Sequence, residues 1–129
     1  MQSVVEGKPS FSDLEAMRKR VLGMAAEDVT GLWEVLWELN TEYPKITPAV
    51  RLFVAWYTMI HLIDDGLIVL VRWDSAEHTE EEVGLGEVLF LLVDGHNWSA
   101  PEDSDSQQLR FHTTPEGDKA YFERPAMAS

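Results

Sequence analysis

The chain has no cysteine. Disulfides, thiolate metal sites and cysteine nucleophiles are therefore excluded together, and a reducing compartment is a natural home for it. Cations are scarce as well: 10 Lys and Arg stand against 23 Asp and Glu, for a net charge of −13. A protein that grips a nucleic-acid backbone needs clustered Lys and Arg, because released counterions supply most of that affinity. Only Arg18-Lys19-Arg20 forms such a cluster. The field of so acidic a chain repels polyanions and attracts cationic partners. Long apolar runs are missing too. The stretches over 52–63 and 67–71 fall short of the roughly 20 residues that span a bilayer, so no membrane partner is expected. The start, MQSVVEGKPSFSD, lacks the basic opening and apolar core of a secretion signal, which leads to the expectation of a cytoplasmic protein. On that expectation the glycosylation-like Asn97-Trp98-Ser99 is a chance match.

Signatures of catalysis are also lacking. His61, His78, His96 and His112 include no pair at i, i+4 and no His-Glu-x-x-His string. His61 reads as a boundary residue of an apolar helix, and His78 beside Glu77 and Glu80-Glu81-Glu82 as part of a solvated acidic turn. The run Asp103-Ser104-Asp105-Ser106-Gln107 lacks the glycine and the terminal glutamate of a calcium loop. Asp64 and Asp65 are adjacent, and adjacent helix positions point about 100° apart, so they do not share a site. There is no phosphate loop, dinucleotide fingerprint or nucleophile elbow. No enzymatic activity, cofactor or metal is expected.

What is present is the material of one domain, 129 residues long. Residues 1–11 read as a flexible N-terminus, 12–123 as a single domain, and 124–129 as a frayed tail. Ser12-Asp13-Leu14-Glu15 has the form of a capping box, with Phe11 and Ala16 as a weak staple, and predicts a helix over 13–25. A second helix is expected from Asp28 or Thr30 to Asn40, with Trp33 and Trp37 stacked beside its apolar stripe. Thr47-Pro48 opens a third, running to Asp65 and stopping at Gly66. Its apolar positions cover so much of its circumference that it must be central or covered by a partner. The β-branched run from Leu67 to Trp73 predicts a strand. Thr79-Glu80-Glu81-Glu82 looks like a second capping box and predicts a helix over 80–93, although Val88 to Val93 also suits a buried strand. After a polar loop over 94–108, Leu109 to Thr113 alternates as a second strand, and Thr114-Pro115 starts a last short helix.

Two segments carry a family resemblance. IHLIDDGLIVLVR (residues 60–72) resembles a recognition helix running into the first strand of a wing. LRFHTTPEGDKAYFE (residues 109–123) resembles the second wing strand and the Thr-Pro-x-Gly turn of MarR-like and PadR-like regulators. The resemblance implies an α+β fold of winged-helix type: a three-helix core plus a two- or three-stranded β-wing, here with a long acidic insertion over 74–108. It also implies DNA binding, and there the chain departs from the pattern. The third helix offers Arg51, His61 and Thr58 where a reader of base edges places Arg, Lys, Asn or Gln. Phe53, Trp56 and Tyr57 occupy such places, and the excursion where a phosphate-tracking wing is basic is acidic. Residues 67–129 carry four basic and thirteen acidic side chains, against six and ten in residues 1–66.

The expected function is therefore a non-enzymatic acidic protein-binding module, an immunity- or antitoxin-like or DNA-mimicking inhibitor of a basic partner protein. Trp73 and Trp98 are the candidate anchors. Asp74, Glu80, Glu81, Glu102, Asp103 and Asp105 are the candidate steering charges. Trp33, Trp37 and Trp56 are assigned to the core, and a second role for Trp98, pinning the long loop, stays open. The alternative is a winged-helix transcriptional regulator, for which Arg18, Lys19, Arg20, Arg51, Arg72 and Arg110 would have to converge on one face. A homodimer through the first or third helix is a third possibility.

Overall fold

The computed structural model of the chain describes residues 10–102 and 107–122. Its elements are α1 (Phe11–Glu27), β1 (Thr30–Gly31), α2 (Leu32–Glu42), α3 (Pro48–Asp64), β2 (Ile68–Asp74), β3 (Thr79–Glu82), α4 (Leu85–Val93), a 3₁₀ turn (Gly95–Trp98), β4 (Gln107–Thr113) and α5 (Pro115–Phe122). The fold is α+β, with five α-helices and one four-stranded antiparallel sheet in the order β1-β4-β2-β3 among the described residues.

Helical periodicity builds the core. Met17, Val21, Leu22 and Ala25 of α1 meet Leu32, Val35 and Leu39 of α2 and Val54, Ala55, Met59 and Leu62 of α3 in one buried cluster. Ile68 and Leu70 join it from β2 and Phe111 from β4, with Leu70 and Phe111 opposite each other in the ladder. Trp98 completes it, 2% exposed, its Nε1 donating to the Leu92 carbonyl at 2.7 Å. That bond ties the 3₁₀ turn to the end of α4 and satisfies the indole's one polar atom.

Several expected boundaries move, each for a local reason. The capping box of α1 belongs to Ser10, not Ser12: the Ser10 hydroxyl accepts from the Asp13 amide and the Asp13 carboxylate accepts from the Ser10 amide. Phe11 is exposed, so it staples nothing. α2 begins after Gly31 because Thr30 and Gly31 pair with Phe111 and Arg110 of β4. The largest correction is at Thr79-Glu80-Glu81-Glu82, which is strand β3 and not a helix cap. Asp74 Oδ1 accepts from the amides of Ala76 and Glu77 at 2.9 and 3.2 Å, and His78 takes a left-handed backbone with φ 55°. The chain thus turns back tightly, and residues 79–82 pair with 71–74. The helix expected there starts only at Leu85, and residues 88–93 belong to it rather than to a strand.

The Thr-Pro-x-Gly turn has a physical role. The Thr114 hydroxyl donates to the Gly66 carbonyl at 2.6 Å and accepts from the Gly117 amide at 3.0 Å, while the Thr114 amide donates to the Leu67 carbonyl at 3.1 Å. Gly117 lies so close to the strand entry that a Cβ there would stand 1.9 Å from the Leu67 oxygen. This clamp fastens α5 to the α3–β2 corner, where Gly66 has φ 75°. Gly117→Ala is expected to lower the unfolding free energy by about 2 kcal/mol or more, and Trp98→Ala by about 3–5 kcal/mol through a core cavity. Urea denaturation checks both; a shift below about 1 kcal/mol in either would contradict the packing described.

Candidate partner-binding surface

The arginines of the DNA-binding alternative are dispersed and engaged. Arg18 forms an ion pair with Asp65 at the end of α3. Arg20 spans to Glu38 and Glu42 of α2 at 2.6 and 3.5 Å. Lys19 lines the same α1–α2 recess, beside Glu27, Glu38 and Glu42. Arg51 turns back to the Ile46 carbonyl at 3.1 Å, with its Nε buried. Arg72 forks onto Glu87, with bonds of 3.0 and 3.3 Å. These bonds hold the Arg72 guanidinium above its ordinary value and the Glu87 carboxyl below its own. Arg110 stacks over the Trp73 ring at 5.1 Å. Residues opposite in an antiparallel ladder share a face, so Arg72 (opposite Leu109) and Arg110 (opposite Val71) point to opposite sides of the sheet.

The expected anchors divide. Trp98 is a core plug and presents no surface. Trp73 is half-buried, held between Arg110 and the His78 ring, 6.1 Å away. Of the tryptophans assigned to the core, Trp33 and Trp56 are half-buried, but Trp37 is 68% exposed, with Trp33 packed on its other side at 5.7 Å.

The acids also take defined places. Asp74 caps the β2–β3 turn. Glu80 stands opposite Trp73 and reaches His112, with Oε2 3.0 Å from Nε2. Glu81 stands opposite Arg72. Glu102 is exposed, at the wall of a polar cavity of about 350 Å³ with Trp33, His96 and Gln107. Asp103 and Asp105 lie outside the described residues. From 73 to 109 the sequence holds ten Asp and Glu and no Lys or Arg. No helix among the described residues is long and apolar enough to cross a membrane.

A surface that the sequence reading missed lies on α4. Val88 and Leu92 pack inward, but Leu85, Leu89, Phe90 and Val93 are 77, 51, 77 and 60% exposed. At 3.6 residues per turn, Leu85, Leu89 and Val93 form one line and Phe90 stands beside it. Beside α4, α3 exposes Phe53, the head of an aromatic row with Tyr57 (5.9 Å from Phe53) and His61 (4.2 Å from Tyr57). Ala49, Leu52, Phe53 and Trp56 of α3 and Leu92 and Val93 of α4 enclose an apolar recess of about 300 Å³. The signal was legible in principle. Only Glu87 is charged in a nine-residue helix, and so short a helix cannot bury its whole circumference on one side.

No known protein-family model matches the chain, nor does any curated protein or solved structure.

His112 carries a pH dependence. Its partial burial lowers its pKa, but the Thr113 carbonyl, the bond to Glu80, and the charges of Glu80 and Glu82 outweigh this and raise it. A raised imidazole stabilises the fold fully below its unfolded value of about 6.5 and loses that contribution as pH climbs through the raised folded value. In an NMR titration the His112 midpoint should lie above 6.5, and Glu80→Gln should bring it down. A midpoint at or below the ordinary value in the unsubstituted chain would contradict the pair.

Proposed function

We propose that this chain is a non-enzymatic protein-binding module on a winged-helix-like frame, and that it takes a basic partner protein in the cytoplasm as an immunity-like or DNA-mimicking inhibitor does. Support for the frame comes from connectivity. A helix, a short strand and two helices precede a long strand, and the first and second strands flank the returning one, as β1 and β2 flank β4. On that reading α3 is the helix that would enter a groove, and residues 75–106 replace a simple wing.

The observation that carries the functional reading is the excess of acid over residues 73–109, ten Asp and Glu with no Lys or Arg among them, in the part of the frame that would track phosphates. Such a surface repels a polyanion and speeds encounter with a cation. The α3 surface adds to this, because an aromatic row offers little to base edges. A transcriptional regulator would need arginines free to approach phosphate; Arg18, Arg20 and Arg72 are in ion pairs, and Arg72 and Arg110 face opposite ways.

The test uses the whole chain. Duplex DNA should show no mobility shift at about 50 mM salt, where non-specific binding is strong. The immobilised chain should capture basic proteins that raised salt releases. A DNA shift at that salt, or capture of acidic proteins alone, would sink the proposal.

A further inference from the structure

We infer that the α3–α4 recess and the exposed face of α4 seat a cationic amphipathic helix of the partner protein. The inference rests on the basic-partner reading and adds to it the place and shape of the contact. α4 is apolar around most of its circumference, a pattern that suits a helix covered on all sides. Among the described residues, only the side of Val88, Leu91 and Leu92 is covered. Four side chains at least half exposed, Leu85, Leu89, Phe90 and Val93, continue into Phe53 across the recess. Clustered large apolar side chains of this kind mark binding sites rather than ordinary surface.

Geometry suits a helix. α4 has nine residues and so runs about 13.5 Å at 1.5 Å per residue, which matches apolar side chains at i, i+4 and i+7 of a partner. The recess of about 300 Å³ accommodates one or two side chains at the centre of that contact.

Charge selects the occupant. Glu82 precedes α4, Asp94 follows it and both are exposed, while Glu87 on its flank binds Arg72. Neither Lys nor Arg occurs between Arg72 and Arg110. A second copy would bring the same acids against themselves, in a chain already at −13. An anionic lipid surface would be repelled for the same reason. A helix with Lys and Arg flanking its apolar stripe meets the carboxylates with opposite charge, and Glu82 and Asp94 stand one at each end of the contact.

The experiment titrates the full chain with three peptides of equal length: an amphipathic Leu/Lys helix, the same residues shuffled to destroy the helical stripe, and an amphipathic Leu/Glu helix. Calorimetry gives affinity, and tryptophan fluorescence, to which Trp56 at the recess contributes, gives a second readout. The Leu/Lys helix should bind at least tenfold more tightly than either control, more weakly at higher salt. Leu89→Ser with Phe90→Ser, both solvent-facing positions, should weaken it at least tenfold while thermal unfolding stays unchanged. Equal binding of the shuffled or Leu/Glu peptide overturns the inference, as does unchanged affinity of the double variant. Concentration-dependent dimerisation that the double variant abolishes would assign the face to a second copy. Binding to vesicles of anionic phospholipid that it abolishes would assign the face to a membrane. Either result overturns the inference. Salt-sensitive capture of a basic protein that the double variant leaves intact overturns this surface but leaves the basic-partner reading standing. Failure of all such capture removes that reading as well.

Discussion

The antiparallel ladder between β2 and β4 is the constraint on which the rest depends. Its seven paired positions, Ile68 with Thr113 through Asp74 with Gln107, join the two ends of an excursion that covers residues 75–106. Leu70 and Phe111 at its centre anchor the sheet on the helical core. With both ends fixed, the excursion has to fold back on itself. It does so first as β3 on the free edge of β2, then as α4 beside α3, and it is pinned by Trp98. α4 adds Val88 and Leu92 to the core and leaves Leu85, Leu89, Phe90 and Val93 outside it.

The same constraint explains how so acidic a chain folds. Three of its six arginines are spent internally, joining α1 to α2, α1 to the end of α3, and β2 to α4. Each exposed pair contributes little, on the order of 0–1 kcal/mol. Their larger consequence is spatial: these three cations are held at element junctions, and acids outnumber Lys and Arg ten to none over residues 73–109. The acidic excursion thus also carries the exposed apolar face of α4.

Much of the fold was legible from local chemistry. Thr47-Pro48 and Gly66 delimit α3, the β-branched run delivers β2, and Thr114-Pro115 starts α5. The failures have specific causes. Thr79-Glu80-Glu81-Glu82 satisfies the capping-box pattern, but its backbone groups are claimed by β2 from across a turn that Asp74 stabilises, a tertiary pairing that no local window contains. Ser12 and Ser10 both suit a cap, and the reciprocal bond with Asp13 chooses Ser10. The site was less legible than the fold. Trp98, judged by its acidic neighbours, suits a surface anchor, and judged by its long loop, a plug; at 2% exposure it is the plug. Leu89 and Phe90 lie in an apolar run that suits a helix or a buried strand, and hydropathy alone does not show that both are exposed. Hydropathy says what would gain from burial and not whether the chain or a partner provides it.

The central claim is that this acidic domain engages a basic protein through the α4 side of the molecule. Hydrogen exchange of the full chain, alone and saturated with a captured basic partner, tests it most directly. The account predicts slowed amide exchange in α4 and the first half of α3, with α1 and α5 unchanged. Slowing confined to α1, or the same protection of α3 produced by duplex DNA, would contradict it.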